Sequence, residues 1–220
     1  MNIKFKMINL FSASMFLLST AIYAQHVNSG VQLTHYVFNE FANGTVTMKS
    51  GETFNRHLNY NILTNEMIFN SDGKYMAIAS PENVDTVNIN DRKFIYLNNK
   101  FFEMLVNSNI PLLLEFTSSI NEPGVSTGYG VTSTTTASTS YKSLVNSGGA
   151  YELKLPDGFT VTPGYNYWIK KDGVLLKAGS AKQLIKIFPE KKIQIEELIK
   201  KNQTSFSKRD DIISLVKQIE

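Results

Sequence analysis

The stretch TFNRHLNYNILTNEMIFNSDGKYMAI, residues 53–78, decides the fold. Phe54, Leu58, Tyr60 and Ile62 share one parity, broken only by Arg56, and Asn55, His57, Asn59 and Asn61 take the other. A period of two puts these sets on opposite faces of a strand. Asp72-Gly73 separates Met67–Phe69 from Tyr75–Ile78 with residues suited to a two-residue hairpin turn, whose central positions need positive φ. One apolar face and one amide-rich face describe an antiparallel sheet packed on one side and wet on the other.

The same signals continue in both directions. Thr45–Lys49 alternates, with Val46 and Met48 on one face, and Ser50-Gly51 joins it to the central stretch. Thr86–Ile89, Lys93–Leu97 and Leu112–Phe116 are further strand candidates, with Asn98-Asn99 as another turn, while Phe101–Val106 fits a strand or a short helix. Turns recurring roughly every 8–12 residues predict a meander. Beyond residue 150, Tyr151, Leu153 and Leu155 alternate with Glu152 and Lys154, and Tyr165–Lys170 and Val174–Lys177 flank Asp172-Gly173.

The period then becomes helical. Ser180 with Gln183 forms a capping box before Ala181–Phe188. Pro189 suits the first turn of a second helix that carries Ile195, Leu198 and Ile199. Ser207 with Asp210 is expected to open the last helix, whose stripe is Ile212, Ile213, Val216 and Ile219. The fold class is α+β: an antiparallel β-sheet, a meander of short strands, followed by two or three short C-terminal helices. Those helices are expected to pack on the sheet through Leu184, Ile187, Phe188, Leu198, Ile199, Ile212 and Val216.

Residues 1–24 read as a signal peptide. Lys4 and Lys6 provide a basic start, Met7–Leu18 is mostly apolar, and Ser19–Ala24 ends in a small residue before Gln25. The apolar run is shorter than the ~20 residues of a spanning helix, so no transmembrane segment is expected after cleavage. Absence of cysteine excludes a lipoprotein anchor, disulfides and thiolate metal sites. The expected location is periplasmic or secreted. Residues 25–122 form a β-rich region and 123–150 a Gly/Ser/Thr-rich loop or linker. Residues 151–220 hold a β-hairpin and the helices, in one domain with 25–122.

The formal charge is +3 over 220 residues and falls to about +1 without the leader. Nineteen lysines against three arginines fit a coding bias, since acidic residues nearly balance them, and no nucleic-acid partner is expected. Gly124-Val125-Ser126-Thr127-Gly128 matches a hydrolase elbow, but no helical pattern follows it, as that motif requires. His26, His35 and His57 lack metal-ligand spacing and read as solvent-exposed. Glu82, Asp85 and Asp91 lack the glycine of a calcium loop and read as turn caps. No catalytic, cofactor or metal residue is assigned. The candidate ligand or partner contacts are Arg56, a charge on an apolar strand face, and the aromatics Tyr165, Tyr167 and Trp168. Tyr165 and Tyr167 share a face and Trp168 takes the other.

The leader ending Tyr23-Ala24-Gln25, the stretch Gly44–Phe69 and the ending Lys186–Leu215 resemble small exported proteins of unknown function from Bacteroidota-type Gram-negative bacteria. The resemblance omits the Gly/Ser/Thr-rich segment and implies an envelope location without any catalytic residue. The expected function is that of an exported, non-enzymatic binding or structural component of the envelope, engaging an envelope protein, a glycan or an apolar ligand. The alternative is a secreted hydrolase with a site assembled from dispersed carboxylates and His57. A concave pocket holding Arg56 beside Glu66 or Asp91 would favour that alternative.

Overall fold

The computed structural model describes residues 32–123, 125–127, 131–133 and 145–220. Residues 1–31, which include the expected signal peptide and His26, and residues 124, 128–130 and 134–144 of the Gly/Ser/Thr-rich segment lie outside them. The strands are β1 (Ala42–Met48), β2 (Thr53–Asn61), β3 (Glu66–Ser71), β4 (Lys74–Ala77), β5 (Val84–Ile89), β6 (Arg92–Leu97), β7 (Lys100–Val106), β8 (Leu112–Asn121), β9 (Val125–Thr127), β10 (Val131–Ser133), β11 (Asn146–Ser147), β12 (Ala150–Tyr151), β13 (Thr160–Lys171) and β14 (Val174–Lys177). The helices are α1 (Ala181–Ile187), α2 (Lys192–Asn202) and α3 (Arg209–Ile219). Among the described residues no helix is long and apolar enough to cross a membrane.

Ten strands form one antiparallel sheet in the order β14-β13-β8-β7-β6-β5-β1-β2-β3-β4, and the helices follow it in the chain. The protein is α+β. Its hairpins close where turn chemistry is strongest: Asp72-Gly73, Asn98-Asn99 and Asp172-Gly173 all place both central residues at positive φ. Residues 101–106 are strand throughout and not helix. Phe101 and Phe102 face opposite ways and are both buried, so β7 shows a near-continuous apolar run and no alternation.

Two further expectations are corrected. Glu152–Leu155 is not strand; only Tyr151 of that run pairs, with Asn146, while Tyr151 and Leu155 are buried in a local cluster with Leu33 and Ile68. Ser207 does not cap the last helix, which begins two residues later with no side-chain cap on Lys208. Instead the Ser207 carbonyl accepts the Tyr165 hydroxyl at 2.7 Å, and the Ser205 amide donates to Asp211 Oδ2 at 2.8 Å. The serine half of the box at α1 does form, with the Gln183 amide donating to Ser180 Oγ, while Gln183 Oε1 accepts the amide of Gly179, one residue before the cap, and not that of Ser180.

The sheet is strongly curled. β2 and β8 are five strands apart, about 24 Å on a flat sheet. Yet the Tyr60 and Phe116 ring centroids are 5.8 Å apart, and Ser118 Oγ donates to the Ile62 carbonyl at 3.1 Å. Bulges at Thr47/Met48 and Met104/Val106 help the bend. At the centre of β1, a Cβ on Gly44 would sit 2.6 Å from the Asn88 carbonyl and 2.8 Å from Leu58 Cδ1, so no side chain fits there. The inner face holds Val46, Leu58, Tyr60, Val87, Phe94 and Phe101. Towards β8 and β13 the same face carries Leu112, Leu114, Tyr167 and Ile169, which the helices cover.

On α1 to α3, Leu184, Ile187, Phe188, Ile195, Ile212, Leu215 and Val216 are buried, whereas Leu198 and Ile199 sit half-buried at the edge. Ile195→Ala is therefore expected to cost about 2–5 kcal/mol and Leu198→Ala clearly less. Urea melts of the two variants check the order; equal losses would contradict the placement of α2.

Candidate functional site

Arg56 stands where the two faces of β1 and β2 can be compared. It pairs with Gly44, so the inner surface opposite it carries no side chain. Its Nη1 donates to the adjacent Asn55 carbonyl at 2.8 Å, and it makes no ion pair among the described residues. On the inner side Arg56 borders an open groove of about 310 Å³ lined by Val46, Met48, Phe54, Leu58, Phe69 and Ile78, with Ala79 and Ser80 at its edge. Val46 and Leu58 are buried, while Met48, Phe54, Phe69 and Ile78 are half-buried, as befits an apolar face whose covering stops short. The groove holds one cation and no carboxylate.

On the outer side, the same strands present a wider depression of about 530 Å³. Asn43, Thr45, Asn55, His57, Asn88 and Asn90 surround it, with Gly44 and Arg56 between them. It too lacks a carboxylate. Arg56 and His57 are thus not joined to Glu66 or Asp91. Glu66 bonds the Tyr151 hydroxyl on another part of the sheet, and Asp91 is exposed in the turn between β5 and β6. Ser126 of the elbow-like motif lies inside β9, paired with Thr132, and not at a strand-to-helix turn; Gly124 and Gly128 lie outside the described residues. No group of three or more His, Cys, Asp or Glu with metal-binding placement occurs among the described residues. Glu82 and Asp85 are exposed.

The candidate aromatics separate. Tyr165 is 47% exposed and its hydroxyl is held by Ser207. Tyr167, on the same face, is buried under the helices, and its hydroxyl is pushed up to about 12 by burial and then by neighbouring Tyr165. Trp168 faces outward, and its Nε1 donates to Glu115 Oε2 at 2.8 Å. Asn166 Nδ2 bonds the same oxygen at 3.2 Å, and Lys100 Nζ lies 2.7 Å from Oε1. Burial pushes the Glu115 carboxyl up, but the hydrogen bonds from Lys100, Trp168 and Asn166 outweigh it and hold it below the usual glutamate range.

A lowered carboxylate binds fewer protons folded than unfolded, so its contribution is complete above the usual glutamate range. It is lost as pH falls through the folded value. Trp168 is the only tryptophan and reports directly on this site. Its emission is expected to shift in a titration below about pH 4.5, and that step should vanish in Glu115→Gln. Persistence of the step would detach the indole from Glu115.

The histidines also divide. His57 is exposed, as expected, but His35 is fully buried. The segment from residue 32 to 41 runs along the end of β2, where the Ile62 amide donates to the His35 carbonyl and the Val37 amide to the Tyr60 carbonyl. That docking carries the ring inward. A non-periodic sequence segment gives no signal of it. The ion pairs of Glu103 with Arg92 and Arg209 give no sequence signal either, because Arg92 lies on a neighbouring strand and Arg209 is 106 positions away. Compared with known proteins, the chain matches no family model, no curated protein and no solved structure.

Proposed function

We propose that the protein is an exported, non-enzymatic binding protein of the envelope or surrounding fluid. We assign its ligand an apolar body and an acidic head, seated in the groove beside Arg56. The observation that carries this is the combination of an apolar lining with a single guanidinium whose one hydrogen bond goes to a neighbouring carbonyl. A groove of about 310 Å³ is at the lower end of ligand pockets, which span roughly 300–1,000 Å³. Apolar walls supply affinity through burial, and a lone guanidinium selects a carboxylate or similar anion by bidentate hydrogen bonds. The basic start, apolar run and small-residue end of residues 1–24 support export.

Displacement of the fluorescent amphiphile anilinonaphthalene sulfonate tests the reading. Lauric acid is expected to compete, and Arg56→Gln to weaken lauric acid by about tenfold while leaving dodecanol nearly unchanged. Equal loss for acid and alcohol would remove Arg56 from the head-group site. Failure of both to compete would remove the groove.

A further inference from the structure

The outer depression differs from an ordinary wet sheet face in what its side chains are doing. Asparagine is a poor strand former, so each one inside a strand costs stability unless it has a task. Most strand asparagines here have one. Asn59 bonds the backbone of Phe38 and Glu40, Asn61 accepts the Leu63 and Thr64 amides, Asn70 accepts the Gly73 amide, and Asn166 supports Glu115. Asn43 and Asn88 make no side-chain hydrogen bond within the described protein, and both face the same depression. Two strand asparagines without an internal task share one site.

Register arranges the lining as a grid. Asn88, Thr45 and Asn55 stand side by side on β5, β1 and β2, and Thr45 Oγ1 donates to Asn55 Oδ1 at 2.8 Å. In the next row Asn43 pairs with His57, His57 with Asn70, and Asn70 with Tyr75, while Asn90 borders Asn43 across the depression. From the turn residue Asn90 the row continues through Asn43, His57, Asn70 and Tyr75 across β1 to β4, about 14 Å over those four strands, the span of a short oligosaccharide. At its end Tyr75 and Phe41 form a half-buried aromatic pair with centroids 4.8 Å apart. No carboxylate lines the grid, and Lys93, paired with Asn88 on β6, only borders it.

Each carboxamide offers a donor and an acceptor side by side, the complement of adjacent hydroxyl groups, and the face of an aromatic ring accepts the apolar C–H face of a sugar ring. The lining holds no carboxylate, and its one guanidinium, Arg56, belongs by register with Gly44 and Ile89 to the inner face, which argues against an acidic or basic ligand. We infer that the outer face of β1 to β5 binds a neutral polysaccharide along the row from Asn90 to Tyr75. This site shares only Arg56 with the inner groove and lies on the opposite face, so it does not depend on the ligand assigned there.

Affinity electrophoresis of the purified protein in native gels tests it, with dextran, laminarin, glucomannan or xylan in the gel and alginate as the acidic comparison. Retardation by at least one neutral polysaccharide is expected. Asn43→Ala and Asn88→Ala are exposed changes that should leave the melting curve unchanged and weaken the retardation about tenfold each. Absence of retardation by all four neutral polymers would overturn the inference. So would retardation by alginate alone, or retardation that both variants retain in full.

Discussion

Glu103→Gln is expected to destabilise the protein by about 3–5 kcal/mol, the cost of removing one partner from a buried ionic cluster. Glu103 is 1% exposed and points from β7 into the inner face, between Phe94 on β6 and Leu114 on β8. Its two oxygens receive four hydrogen bonds. Arg92 Nε and Nη2 donate at 2.8 and 2.6 Å, Arg209 Nη1 donates at 3.1 Å, and Arg209 Nη2 completes the second fork. The Arg92 guanidinium also lies 4.7 Å from the Phe38 ring centroid and 5.6 and 5.5 Å from those of Phe94 and Phe116. Its charge is therefore largely taken from water, and only the carboxylate compensates it.

The cluster also explains a local oddity. Arg209 opens α3, where the helix dipole disfavours a cation. Glu103 offsets that cost and fixes α3 to the sheet. In Glu103→Gln the neutral amide turns a donor towards one guanidinium and leaves two cations facing each other. Loss is expected first at α3, seen as faster proteolysis around residues 203–208 before global unfolding. Replacing all three residues together, by Leu at 103 and 209 and Met at 92, should recover most of the loss, because an apolar set needs no desolvation of charge. A Glu103→Gln variant that unfolds within 1 kcal/mol of the parent in urea would show that the arginines stand without it.

What could be read in the sequence is local. Asp72-Gly73, Asn98-Asn99 and Asp172-Gly173 reveal their hairpins because the positive-φ requirement sits in the two residues themselves. The parity of residues 54–62 reveals both faces of β2, and Ser180 with Gln183 reveals the start of α1. The remainder depends on residues distant in the chain. The curl that brings Tyr60 against Phe116 arises from a ten-strand sheet closing on its own apolar face, and no window of sequence contains it. Glu103 and Arg209 are 106 positions apart. Arg56 was legible as a charge on an apolar face, but its groove was not, because Val46, Phe54 and Phe69 read as core whether or not another element covers them. The outer grid was half legible: parity places Asn55 and His57 together, while their neighbours Asn43 and Asn88 come from strands whose pairing order only the structure supplies.

His35 supplies the second large effect. Stability is expected to fall by about 3 kcal/mol as pH drops from 7 to 4, and His35→Phe should abolish that part of the fall. The ring is fully buried against Tyr36, with centroids 4.6 Å apart, and neither nitrogen makes a well-formed hydrogen bond among the described residues. Burial lowers its pKa from 6.5 to about 4, opposed only by the nearby backbone of Glu152. Between those values the unfolded chain binds a proton that the folded chain refuses. Stability is therefore intact above pH 6.5, declines as pH falls, and has lost the whole contribution near pH 4. Glu115 acts lower, because its carboxyl is held below the usual glutamate range, so the interval from pH 6.5 to 4.5 isolates the histidine. At pH 7 the variant should be as stable as the parent or slightly more so, since phenylalanine fills the site without leaving two nitrogens unbonded. Charging His35 also pushes out the segment that lies along the end of β2, so amide exchange at Val37 and Ile62, whose hydrogen bonds tie it there, should accelerate before the rest of the sheet. Urea melts at half-unit steps from pH 7 to 4.5 give the measurement. A slope in that interval shared by parent and His35→Phe would place the proton elsewhere.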